Sequence, residues 1–220
     1  MLAEDVTMYK LYNVKAWGSM GVHFLLEEMD VPYTNIWMTP EQVAAPEFRE
    51  ISPIGYIPAL GLDDGSALFE SAAIISFLVS AHPDKGMAPQ PGSNEYGEFL
   101  SWLHFMSTNL YVAINMSDHD NFYARDEKEG KYLTGKSIEK CDQLWAILSK
   151  RLEAEGPWLM GEQFTAADVV IGANIRWGMI FKMIPERPEF TAYAARIAAR
   201  PAAQRAEAKD KEMAAQSASA

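Results

Sequence analysis

An α/β domain followed by an all-α domain is the fold class this sequence predicts, and three observations predict it. Short β-prone runs alternate with helical spacing as far as residue 81. A stretch rich in proline and glycine, His82 to Gly92, then interrupts the pattern. Beyond it only long helical patterns recur. The expected divisions are residues 1–82, a linker over 83–92, a helical domain over 93–208 and a frayed Ala/Ser-rich tail over 209–220.

Each element has its own signal. Tyr9 to Val14 is apolar and β-prone, a first strand. From Ser19, a possible cap, Val22, Leu25, Leu26 and Met29 share one helical face, and Val31-Pro32 stops that helix. Tyr33 to Met38 is a second strand, followed by a polar segment with Pro40 and Pro46 that suits a short irregular helix. Strands near Ile57 to Leu62 and Ala67 to Phe69 flank an Asp63-Asp64-Gly65 turn, and a helix over Ser71 to Ala81 closes the half. That order is thioredoxin-like. The second half offers helices over about residues 93–116, 126–155, 166–181 and 188–199. The third opens on a capping box, with Thr165 capping the amide of Asp168 and the Asp168 carboxylate reaching back.

Composition narrows the function. At 220 residues the chain has room for two small domains or one large one, and its formal charge of −11 argues against nucleic acid and anionic membrane surfaces. No apolar run reaches spanning length, and the start Met1-Leu2-Ala3-Glu4-Asp5 lacks the marks of a signal peptide, so a cytoplasmic location is expected. The single cysteine, Cys141, excludes an internal disulfide and lies in a helical pattern with Leu144, Trp145 and Leu148, as a buried thiol would. His119, between Asp118 and Asp120, has no further ligands at suitable spacing, so no metal is expected.

The chemistry concentrates between Ile54 and Ser71. An Ile57-Pro58 bond entering a strand is a place for a cis peptide that leaves the Ile57 main chain unpaired and able to accept an extended ligand. Ser71 reads as an N-cap whose hydroxyl, with the free amides of the first turn, suits a carboxylate. Glu70 beside it suits an ammonium group. A carboxylate and an ammonium on one carbon describe an amino-acid terminus.

These residues resemble the glutathione-binding half of the cytosolic glutathione transferases, and the resemblance extends over roughly residues 9–201 through the capping box at Thr165. It implies glutathione as co-substrate, held by Tyr56, Ile57, Pro58, Glu70 and Ser71, with Tyr56 lining the glycyl end or only covering its loop. Lys10 to Tyr12 and Ser19 to His23 are most similar to the bacterial beta class, but Gly18 stands where that class has a cysteine, so no mixed disulfide with glutathione forms there. The thiol then needs another donor. The candidates are Ser19, Tyr12, and Asn13 or a main-chain amide between Trp17 and Ser19.

For the electrophile, the resemblance implies a pocket at Trp17, Tyr111 and His104, with Phe122 and Tyr123 as a possible aromatic lid. Asn109 and the aromatic helix around Trp102, Phe105 and Met106 imply a homodimer. The implied activity is attack of the glutathione thiolate on an apolar or aromatic electrophile. Glutathione-dependent lyase, dehalogenase or isomerase chemistry and a non-catalytic binding or scaffold role are the alternatives.

Overall fold

The computed structural model describes residues 8–118, 123–180 and 184–218, which form two compact units. One comprises the chain up to Met87 together with Arg196 onward; the other runs from Ala88 to Ala195.

The first unit is a four-stranded sheet in the order β2-β1-β3-β4, formed by β1 (Tyr9–Asn13), β2 (Tyr33–Trp37), β3 (Ala59–Gly61) and β4 (Ala67–Phe69). β1 runs parallel to β2 and antiparallel to β3, which is antiparallel to β4. The parallel pair requires a crossover, supplied by α1 (Met20–Met29), whose apolar stripe Val22, Leu25, Leu26 and Met29 is buried. Asp30 in the left-handed conformation, φ 51°, ends it before Val31-Pro32. The segment after β2 forms α2 (Pro40–Ala44) and a 3₁₀ turn over Pro46–Glu50, started by a capping box between Thr39 and Gln42. α3 (Ser71–Ala81) follows β4 directly.

In the second unit α4 (Asn94–Phe105) passes through a π turn, Met106–Leu110, into α5 (Tyr111–Asp118). The His104 carbonyl accepts the Thr108 hydroxyl at 2.7 Å and the Ser107 hydroxyl at 3.4 Å, which satisfies a group near the wider turn. α6 (Glu127–Glu155), α7 (Ala166–Ile180) and α8 (Pro188–Ala198) complete the helices of this part. Its core includes Phe99, Leu103, Leu148 and a Trp145–Phe190 ring contact at 5.5 Å. Cys141 is buried there, and burial, helped by the Asp142 charge, pushes its thiol up to about 11, where it is inert at neutral pH.

The start of α7 differs from the expected capping box in one half. The Thr165 hydroxyl donates to Asp168 Oδ2 at 3.1 Å instead of accepting its amide, which donates to the Thr165 carbonyl at 3.0 Å. The Asp168 carboxylate does reach back, accepting the Thr165 N–H at 2.8 Å.

The domain boundaries need one correction. Residues 196–208, expected in the helical domain, belong to the first unit, and the expected frayed tail continues α9 (Pro201–Ala218). The reason is electrostatic as well as apolar. Ala202, Ala203 and Ala206 are buried, while Arg200 pairs with Glu28, and Arg205 and Lys209 both pair with Glu27, so α9 is fastened to α1. No described helix is long and apolar enough to cross a membrane.

Candidate functional site

Strand direction brings the candidate residues of the first unit together. Tyr12 pairs with Ala59, and Ala59 with Phe69, so the end of β1, the start of β3 and the end of β4 lie at one end of the sheet. The Asn13–Ser19 loop, Ile57-Pro58 and Glu70-Ser71 all emerge there.

Ile57-Pro58 is cis, and Ile57 lies outside the paired register of β3. Its main-chain N–H and carbonyl make no hydrogen bond among the described residues. The loop before it is closed by a residue that the sequence reading missed. Ser52, fully buried, donates its hydroxyl to the Tyr56 carbonyl at 2.7 Å and accepts the Tyr56 N–H at 3.3 Å. Its own carbonyl accepts the Gly55 N–H at 2.7 Å, closing a β-turn with Pro53 second and Gly55, φ 69°, fourth. The Ser-Pro-x-Gly spacing was the available signal. Ser52→Ala is expected to cost about 1–3 kcal/mol, because it strands the Tyr56 carbonyl, and to weaken any ligand held by Ile57; urea unfolding and calorimetry check the two effects.

Ser71 is the first residue of α3 and not its cap, as the sequence suggested. Glu70 holds the cap position at φ 68°, ψ 113° without a side-chain cap. Left-handed φ is costly for glutamate and persists where surrounding structure fixes it. Its carbonyl accepts the Ile74 N–H at 3.0 Å, and the preceding amides of the first turn have no intrahelical acceptor. Half-buried Ser71 and exposed Glu70 therefore present donors and a carboxylate side by side.

The loop after β1 treats its candidates differently. Ser19 precedes α1 but makes no side-chain cap; its buried hydroxyl donates to Asn13 Oδ1 at 2.5 Å and receives the Val14 N–H at 3.4 Å. Tyr12 packs its ring against Phe48, centroids 5.9 Å apart, beside the cluster of Val14, Val43, Phe48, Ile57 and Ala59. Ala16 is left-handed, φ 62°, and Trp17 stands 45% exposed. The Trp17 N–H donates to the Val14 carbonyl and the Met20 N–H to the Trp17 carbonyl, which leaves the Gly18 and Ser19 amides without an acceptor among the described residues.

Tyr111 and His104 lie in the other unit, Tyr111 half-buried at the start of α5 and His104 exposed on α4. Asn109 is exposed in the π turn, its Nδ2 donating to Thr108 Oγ1 at 3.1 Å, while Trp102 meets Phe105 edge to face and lies under Arg151. His119 and Phe122 lie outside the described residues; Tyr123 is exposed. Among the described residues no group of three or more His, Cys, Asp or Glu is placed to hold a metal ion.

A thioredoxin-like unit with an unpaired main chain before a cis-proline, and an acidic, amide-rich helix start beside it, joined to a helical unit, defines the glutathione transferase class of architecture. The chain belongs to the glutathione S-transferase superfamily: the N-terminal domain profile matches residues 19–81 and the C-terminal domain profile residues 106–201. It is 27% identical over 199 residues to glutathione S-transferase GstA of Escherichia coli O157:H7, spanning 89% of this chain and 95% of GstA. The glutathione transferase of Methylococcus capsulatus superposes with a TM-score of 0.80 at 29% identity, over 92% of this chain and 98% of that one. A sphingomonad glutathione S-transferase complexed with glutathione gives 0.78 at 26% identity, again over 92% and 98%.

Proposed function

We propose that this protein is a glutathione transferase that activates the thiol for attack on an apolar or aromatic electrophile, and that it works as a cytoplasmic homodimer. The observation that supports this reading best is the unpaired Ile57 main chain next to the Glu70-Ser71 helix start. The cysteinyl backbone of glutathione pairs with Ile57; its γ-glutamyl carboxylate takes the Ser71 hydroxyl and the first amides of α3, and its ammonium faces Glu70.

Among the thiol-activating candidates, the Gly18 and Ser19 amides fit best, because they have no acceptor among the described residues and stand at the positive end of α1. Ser19 and Asn13 act as positioning residues that hold the loop, and Tyr12 is a packed strand aromatic. The thiolate forms a sulfur–carbon bond while the leaving group departs with its electron pair; the thiol proton passes to water.

The test is calorimetry with glutathione together with turnover of a chlorinated nitroaromatic; no binding at millimolar glutathione refutes the proposal. Ser71→Ala is expected to weaken glutathione binding about 10- to 100-fold, the value of one or two charge-assisted hydrogen bonds. Ser19→Ala discriminates between the donors. If the amides hold the sulfur, the bound thiol stays well below the ordinary cysteine value of about 8.5 in this variant, read from thiolate absorbance. A return to the free value assigns the role to the hydroxyl, and an unshifted thiol in the unaltered protein favours a binding role without catalysis.

A further inference from the structure

We infer that the acceptor substrate is an aromatic electrophile bearing a carboxylate, which Lys15 recognises beside the exposed Trp17 ring. This inference rests on the glutathione reading of the site and names the class of its second substrate. Position supplies the first argument. The Gly18 and Ser19 amides proposed to hold the sulfur directly follow Trp17, and a carbon under attack lies about 3–3.5 Å from that sulfur. The loop that holds the sulfur therefore also meets the acceptor.

That loop presents an aromatic ring and a cation from one fixed turn. The Trp17 N–H donates to the Val14 carbonyl at 3.2 Å, so Lys15 and Ala16 are the central residues of the turn. Buried Ser19 secures its base, accepting the Val14 N–H at 3.4 Å. Ala16 holds φ 62° without being glycine, a strained conformation that persists where surrounding structure fixes it and that gathers at ligand sites. Lys15 and Trp17 stand exposed on either side of it. Lys15 makes no hydrogen bond or ion pair among the described residues, neither with Glu70 nor with any other carboxylate. In a chain with 30 aspartates and glutamates, none occurs between Asp5 and Glu27, so the charges of this stretch are those of Lys10 and Lys15. A free ammonium on a flexible stem takes a carboxylate while Trp17 faces the aromatic ring that carries it.

The experiment measures turnover of glutathione with a chlorodinitrobenzoate, chlorine para to the carboxylate, and with its uncharged methyl ester, each rate divided by the uncatalysed one. With either probe the glutathione sulfur bonds to the ring carbon, chloride leaves with the bonding electron pair and the thiol proton passes to water. The unaltered protein is expected to favour the acid in kcat/KM by about two- to fivefold, the value of an exposed ion pair, and to lose that preference at about 0.5 M salt. Lys15→Gln is expected to abolish the preference. An unchanged preference in Lys15→Gln overturns the inference, as does an equal fall for both probes, which would make Lys15 a loop support. Equal turnover of the two probes by the unaltered protein, or a preference for the ester, overturns it too, and so does glutathione binding without turnover of either probe. Absence of glutathione binding in calorimetry removes the glutathione reading itself, so the two failures are distinct.

Discussion

Asp168→Ala is expected to destabilise the protein by about 3–5 kcal/mol, a large share of a typical domain's 5–15. The carboxylate is fully buried and accepts four hydrogen bonds, from the Leu159 and Thr165 amides and from the Tyr193 and Thr165 hydroxyls, at 2.8 to 3.1 Å. Removing it strands several donors away from water, and each stranded group costs about 1–3 kcal/mol. Burial pushes the carboxyl upward, and the four donors pull against that push. Asp168→Asn should lose less, since its amide oxygen still serves two donors while its nitrogen confronts the others. Urea unfolding checks both variants, with the alanine variant showing the lower midpoint.

The second large effect concerns α9. Glu27, buried in α1, accepts from Tyr33 Oη at 2.5 Å and from Arg205 Nε at 3.0 Å, and Lys209 Nζ also pairs with it. Burial raises the Glu27 carboxyl, but the bonds from Lys209, Tyr33 and Arg205 outweigh it and bring the group below its ordinary 4.5. A carboxyl lowered on folding stabilises the folded state above its unfolded value. That stability is present above about pH 4.5 and fades as pH falls through the folded-state value. Tyr33 behaves oppositely: burial and then Glu27 raise its phenol above 10.0, so its contribution fades as pH rises past that value.

Glu27→Ala is expected to cost about 2–3 kcal/mol. This is less than breaking a wholly buried pair, because Arg205 and Lys209 are about half exposed and turn to water. Thermal unfolding between pH 3 and 7 should show a shallower acid limb in Glu27→Ala than in the unaltered protein. Hydrogen exchange should show faster exchange in α9 in the variant. An unchanged acid limb would mean that Glu27 does not set the attachment of α9.

For the proposed function, the side chains of the loop after β1 offer the thiol little. Gly18 has none to offer, Ser19 turns its hydroxyl inward to Asn13, and Tyr12 packs on Phe48. If main-chain amides hold the sulfur, substitution of these side chains changes loop stability more than thiol acidity, whereas substitution of Glu70 or Ser71 is expected to change affinity.

The sequence by itself determined the two-part fold, the order of strands and helices along the chain, the Ile57-Pro58 bond as a place for a cis peptide and the membership these imply. Those features are written in local chemistry: period, proline and cap residues act within a few positions of themselves. Tertiary structure decided what depended on distant partners. It gave the tail to α1 through Glu27 and Glu28, bonded the Ser19 hydroxyl to Asn13, closed the Tyr56 loop with Ser52, and laid Arg49 on Gly55. A side chain's rotamer and its free donors are fixed by what packs against it, and nothing in the spacing of residues records that.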